Sequence, residues 1–448
     1  MTFAEGVLKA RSHLIFLAGL IVAFGIVIRL ETWDIQRQPG AALRIPKTAS
    51  IAPVSPADLS AQEHAWGRIA WQYFVNNYQP TTGLVNSVDG YPASTMWDTA
   101  SYLLALIAAY RLEIIAQDTF DQRLSQGLTT LAGMPLFEDS LPNKSYHTMT
   151  LEMVDYTNAK TARGIGWSAI DIGRLLVPLN MIVWHYPAHT PAVQAILKRW
   201  AFHRLLRDGL LYGTTLDAQG NTVYVQEGRI GYEEYAAKAL ALMGLDVSEA
   251  LKYHDFLRFV PIYGIDVPTD SRSAAQYHAH NYVVSEPYIL DGLEFGWDET
   301  SREFAFRVYR AQAERFRRTG VLTAVSEDNI DQAPYFVYNT VFTDGQPWKA
   351  ITDKGADASA YKSISTKAVF GWDVLYKTPY TAQLLHRVAN LYDPERGWYS
   401  GLYEATQTPN KVMTANTNAI ILESLYYRRF GTLLQLADGA TVRTPATN

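Results

Sequence analysis

The chain has 448 residues, 48% of them apolar, a formal net charge of −5 and no cysteine. That is enough apolar mass for one large core. It excludes disulfides, thiolate catalysis and cysteine-type zinc sites, and the lack of a basic run argues against a nucleic-acid partner.

Residues 1–12 read as a cytoplasmic stub carrying Lys9 and Arg11. Leu14–Ile28, "LIFLAGLIVAFGIVI", is an unbroken apolar run of 15 residues, with Arg29 and Trp33 behind it. These are residue types that settle at a membrane interface. No small-residue cleavage site follows directly. Residues 13–30 are therefore expected to form a signal anchor, one transmembrane helix, with a cleaved signal as the alternative. Either way the body is exported. The expected location is a bacterial inner membrane, crossed once, with the body in the periplasm, or the periplasm itself if the signal is cleaved. Residues 31–62, with Pro39, Pro46, Pro53 and Pro56, read as an extended tether.

From residue 63 to 430 the helical period dominates. Helices starting near Ser94, Arg163, Arg229, Ser285, Ser363 and Met413 are apolar on most faces, as inner helices must be. Those starting near Gln62, Thr119, Thr190, Val247, Asp298 and Pro379 carry a single apolar stripe. Six such hairpins close into an all-α (α/α)6 toroid. Inner-to-outer links are short, whereas outer-to-inner links are long, for example 132–162, 206–228 and 318–362. Long connections in a compact domain are usually functional. Here they gather over the N-termini of the inner helices, where free N–H groups and the positive dipole end favour a ligand. A short β-hairpin is expected in "GLLYGTTLDAQGNTVYVQEG". Residues 431–448 read as a flexible tail.

The polar residues heading the inner helices become site candidates in this scaffold. Trp97 and Asp98 head the first, Trp167 and Asp171 the second, with Asp155 in the loop before it. Tyr232, Glu233 and Glu234 head the third, and Glu286 and Tyr288 the fourth, with Tyr282 just upstream. Trp372 lies in the fifth and Asn416 in the sixth, after Trp398 and Tyr403 in "GWYSGLY". Each acid can equally be a first-turn residue favoured by the dipole, and Asp171 can pair with Arg174 one turn on. One carboxylic acid with raised proton affinity beside a carboxylate is the arrangement that acid–base hydrolysis needs. Aromatic rings with polar tips suit sugars. His278 and His280 in "YHAHNY" lack an evident third ligand, so no metal and no cofactor is expected.

"STMWDTASYLLALIAAYRL", "LFEDSLPNKSYHTMTLEMVDY", "GIGWSAIDIGRLL" and "GLYEATQTPNKVMTANTNAIILESLYY" resemble a bacterial family of exported or membrane-anchored proteins of the six-hairpin glycosidase type. The likeness runs over roughly residues 63–430. A weaker one points to the glycoamylase-like family that includes β-1,2-glucanases, with Asp98, Asp171 and Glu234 at matching positions. This implies Glu234, rather than Glu233, as the catalytic acid, with Asp171, Asp155 or Glu286 as the base. In the second helix Ile and Arg replace the small polar residues of that pattern. The expected activity is hydrolysis of a bacterial polysaccharide or glucan. It is expected to be inverting by analogy with toroid hydrolases, with the two carboxyls about 6.5–9.5 Å apart. The alternatives are a non-catalytic glycan-binding partner of exopolysaccharide synthesis and export machinery, and a purely structural scaffold.

Overall fold

The computed structural model describes residues 45–48, 51–277 and 280–434. The anchor read at 13–30, the stub before it, His278 and the tail from 435 lie outside the described residues. Among the described residues no helix is long and apolar enough to cross a membrane. Contacts divide the chain into Met1–Pro46 and Lys47–Asn448, and only the second unit is considered below.

In chain order the first helices are α1 (Ala61–Asn76), α2 (Met96–Arg111), α3 (Gln117–Gly133), α4 (Ala169–His185) and α5 (Thr190–Leu197). Then come α6 (Tyr232–Leu242), α7 (Glu286–Leu290), α8 (Glu299–Thr319), α9 (Thr366–Tyr376), α10 (Pro379–Val388) and α11 (Ala415–Phe430). Six of these close a ring: α2 packs on α4, α4 on α6, α6 on α7, α7 on α9, α9 on α11, and α11 back on α2. α2 is buried without a break from Thr99 to Ala109, which is why its sequence has no polar stripe. α1, α3, α5, α8 and α10 lie against the ring, each burying one stripe. α4 and α6 approach closely because Gly173 leaves room: a Cβ there would lie 2.7 Å from that of Ala236.

The helix expected near Val247 is absent. Residues 248–251 form turns, and two strands follow. The reason is legible in "LRFVPIYGIDVPT": its apolar residues alternate with a period of two around Tyr263-Gly264, both at positive φ. The resulting hairpin takes the outer position and packs on α8 through Phe259 and Phe304.

β-structure is also more extensive than the single expected hairpin. β1 (Ala93–Thr95) pairs with β2 (Ser145–His147). β3 (Leu210–Leu216) and β4 (Thr222–Gln226) form the anticipated hairpin, and β5 (Leu257–Ile262) with β6 (Ile265–Asp270) the unanticipated one. β7 (Tyr282–Val283), β8 (Glu327–Asn329), β9 (Phe336–Asn339) and β10 (Phe342–Thr343) line the later connections, with β8 on β9 and β7 on β10. All of these strands lie in connections that lead into an inner helix. They stiffen the end of the ring where the inner helices begin.

Candidate functional site

Caps fix the side chains at that end. Thr95 Oγ1 accepts from Asp98 N at 3.0 Å and donates to Asp98 Oδ2 at 2.8 Å. Ser168 Oγ accepts from Asp171 N at 3.1 Å and donates to Glu227 Oε2 at 2.9 Å. That Glu227 oxygen also accepts from Ala169 N at 2.6 Å, so Glu227 sits on the positive end of α4. Glu286, the first residue of α7, accepts from Trp97 Nε1 at 3.1 Å and from Asn416 Nδ2 at 2.9 and 3.0 Å. Lys367 in the first turn of α9 closes an ion pair on the same carboxylate, and its Nζ lies 3.6 Å from Asp328 Oδ1.

These groups form a chain of carboxylates around the mouth of the ring. Asp171 lies within electrostatic reach of Glu227 on one side and Asp98 on the other. Asp98 is within reach of Glu286, and Asp328 within reach of Glu286 and Glu327. Tyr282, near Glu227, and Tyr338, near Glu327, close the circle with stacked rings. Asp98, Asp171, Glu227, Trp97 and Asn416 are part-exposed, whereas Glu286, Glu327, Asp328 and Lys367 are buried. Crowded yet wetted acids of this kind line a pit.

The environments push the proton affinities apart. Burial, reinforced by the Glu227 charge and opposed by Lys144, lifts Asp171 to about 7. Burial lifts Asp328 to about 7 and Glu327 to about 6, each against the pull of Lys367. Asp98 is raised by burial, against the Ser87 and Thr95 hydroxyls that favour its charged form. Burial works against the Lys367 charge, but Glu286, Asp328 and Glu327 outweigh it and hold the ammonium. Asn416 Oδ1 is buried without a hydrogen-bond partner, which is uncommon for a buried polar atom.

Trp97, Asp98, Asp171, Tyr232, Tyr282, Glu286 and Asn416, all named from sequence, come together here. The others have different places. Trp167, Trp372 and Trp398 are wholly buried, each indole N–H donating inward, to Tyr212 O, Ser285 Oγ and Trp66 O. Tyr288 is buried, and Tyr403 donates to Asp331 Oδ1 at 2.6 Å. They pack loops onto helix heads, which is what large aromatics at that end also do. Asp155 Oδ1 accepts from Thr157 N, Thr157 Oγ1 and Ala159 N, so it builds its own turn.

Glu233 and Glu234 are accounted for structurally. Glu233 is ion-paired with Arg272 at 2.6 Å and accepts from Gln226 Nε2 at 2.8 Å. Glu234 Oε2 accepts from Gly231 N at 2.7 Å, where Gly231 takes φ 105 to turn the chain into α6. Burial and the Glu233 charge lift Glu234 to about 8, but it lies near Tyr253 and Tyr288, while Tyr232 and Tyr235 turn their rings to Trp97. Arg174 does not pair with Asp171; it pairs with Glu294 at 2.7 Å and Glu423 at 3.2 Å inside the ring.

Glu227, Glu327, Asp328, Lys144 and Lys367 escaped the sequence reading. Two signals were present. Lys367 is a cation in the first turn of an apolar helix, against the dipole, and so needs an acid partner. "AVSEDNI" sets two successive acids between apolar residues at Ala324, Val325 and Ile330. Among the described residues no three His, Asp or Glu side chains are grouped to hold a metal. A surface groove of about 540 Å³ lined by Gln72, Asn76 and Pro394–Arg396 is open to solvent and holds none of these carboxylates.

A helical ring with long connections at one end and acids at its mouth is the six-hairpin glycosidase fold, and solved structures bear this out. A glucoamylase-like protein from Bacteroides caccae superposes with a TM-score of 0.59 at 12% identity, over 84% of this chain and 94% of that one. An endo-β-1,2-glucanase from Chitinophaga pinensis, in complex with sophorotriose and glucose, gives 0.59 at 13% identity over 84% and 94%. An endo-β-1,2-glucanase from Talaromyces funiculosus, in complex with sophorose, gives 0.52 at 12% identity over 83% and 84%. No curated protein matches the chain in sequence. The chain belongs to the family described as Protein of unknown function (DUF3131), whose model matches residues 65–431.

Proposed function

We propose that the protein is a glycoside hydrolase acting on a glucan or related bacterial polysaccharide. The carrying observation is the Asp98–Asp171–Glu227 group: three part-exposed carboxyls in one pit, held by hydroxyls and a helix end. In this reading Asp171, whose proton affinity burial and the neighbouring Glu227 raise to about 7, donates to the leaving oxygen. Asp98, fixed by Thr95 and raised by burial against its hydroxyl partners, takes a proton from the attacking water. An inverting outcome would follow. Glu286, with three donors making four contacts on its two oxygens, serves as an anchor. β-1,2-Glucan fragments bound by two fold neighbours support a β-glucan as the first substrate to try. The body would work in the periplasm, tethered through the apolar run at Leu14–Ile28, next to exopolysaccharide machinery.

The test is product analysis. The full-length chain is incubated with β-1,2-, β-1,3- and β-1,4-glucans and with bacterial exopolysaccharides, beside Asp171→Asn and Glu234→Gln. Oligosaccharide release by wild type and Glu234→Gln, but not by Asp171→Asn, is expected. Release by Asp171→Asn at the wild-type rate would refute its role. Binding without release by any chain would favour a glycan-binding partner instead.

A further inference from the structure

A sugar ring is held by aromatic faces with polar groups at its rim. One wall of the pit supplies such a face. Tyr282 and Tyr338 stack with centroids 3.9 Å apart and planes 20° apart, and Phe336 meets Tyr338 edge-on at 5.2 Å. The β8–β9 register sets Tyr338 directly opposite Glu327, so aromatic and acid stand side by side. All three rings are part-exposed. Tyr156 is 66% exposed, yet it lies within electrostatic reach of Asp171, Glu227 and Tyr338. Its turn is firmly built: Asp155 Oδ1 accepts hydrogen bonds of 2.7–3.0 Å from Thr157 and Ala159, and Val154 bridges to Lys160. Such a turn holds an exposed ring ready at little entropic cost.

We infer that Tyr156 and the Tyr282–Tyr338 stack form an aromatic clamp that grips one residue of an uncharged polysaccharide beside Asp171 and Glu227. The inference rests on the reading of the pit as a glycan site. The ligand is uncharged because six acidic side chains face only Lys144 and Lys367 there, and both lysines lie near those acids, so an anionic chain would find no spare positive charge.

The experiment is calorimetric titration of the full-length chain carrying Asp171→Asn, which binds without turnover. The probes are cellotriose, laminaritriose, sophorotriose and trigalacturonate. At least one neutral trisaccharide is expected to bind. Adding Tyr156→Ala should weaken that binding roughly tenfold, and Tyr156→Phe less than about twofold. The exposed position of Tyr156 keeps both variants folded, as an unchanged melting temperature will record. Equal binding by Tyr156→Ala overturns the clamp and leaves the pit reading standing. No binding of any neutral trisaccharide, or tighter binding of trigalacturonate, overturns the clamp and its uncharged ligand. Whether the pit reading then falls too is read separately, from product release by the wild-type chain.

Discussion

Among the acid clusters of the described residues, one lies inside the helical ring and one at its mouth. Inside, Arg174 is wholly buried between Glu294 and Glu423, takes Tyr235 as a further partner, and lies over the Trp97 ring at 4.8 Å. Burial lifts both glutamates, against the Arg174 charge. At the mouth, burial lifts Asp171 and Asp328 as well. Raised proton affinity therefore does not separate a working site from a structural one. Access does. The inner cluster is closed to water, and its arginine joins helices α2, α4 and α11 and the turn after α7. The outer cluster is part-exposed at Asp98, Asp171 and Glu227 and lies beside the Tyr282–Tyr338 stack.

Substitutions should divide along the same line. The largest effect is expected for Asp171→Asn, which removes the proton donor and should lower product release roughly 10²–10⁴-fold, with no loss of stability in denaturation. Arg174→Leu should do the reverse. It leaves two buried acids without their cation and should cost about 3–5 kcal/mol in urea denaturation. A variant of Arg174 that kept full stability would erase the distinction between the clusters.

A smaller effect is a pH dependence of stability. Asp171 keeps its proton to about pH 7 when folded, but releases it near pH 4 when unfolded. Wild-type stability from this group is complete below about pH 4 and falls as pH rises towards 7. Asp171→Asn escapes that loss. Its advantage in melting experiments should be absent at about pH 4 and reach on the order of 1–2 kcal/mol above about pH 7, since solvent screens a part-exposed group. The smallest effect is expected at Glu234→Gln, where a neutral amide can still accept from Gly231 N: under about 1 kcal/mol, with activity kept.

The ring itself was legible in the sequence, because burial on all sides leaves an unmistakable record in helices such as α2. The end of the ring where the long connections gather was legible from their lengths. The fourth outer element was not, since "VSEALKYHDFLRF" opens like a helix and only the later alternation around Tyr263 reveals strands. Asp98, Asp171 and Glu286, on inner-helix heads, were placed at this end from sequence because the helical register fixes them. Glu227, Glu327 and Asp328 were not, because long connections bring them to the pit from loops and strands whose path no local pattern encodes. Glu234 combines burial, a neighbouring acid and a helix start, and in the structure its carboxylate accepts from Gly231 N at that helix start.

The account stands most directly on the pH profile of kcat/KM for a cleaved glucan, measured on wild type, Asp171→Asn and Glu234→Gln. If Asp171 is the acid, wild type and Glu234→Gln share an alkaline limb near pH 7, about tenfold per unit, and the residual rate of Asp171→Asn has none. A limb that survives in Asp171→Asn and disappears in Glu234→Gln would move the acid from the pit to the head of α6 and contradict the site as drawn.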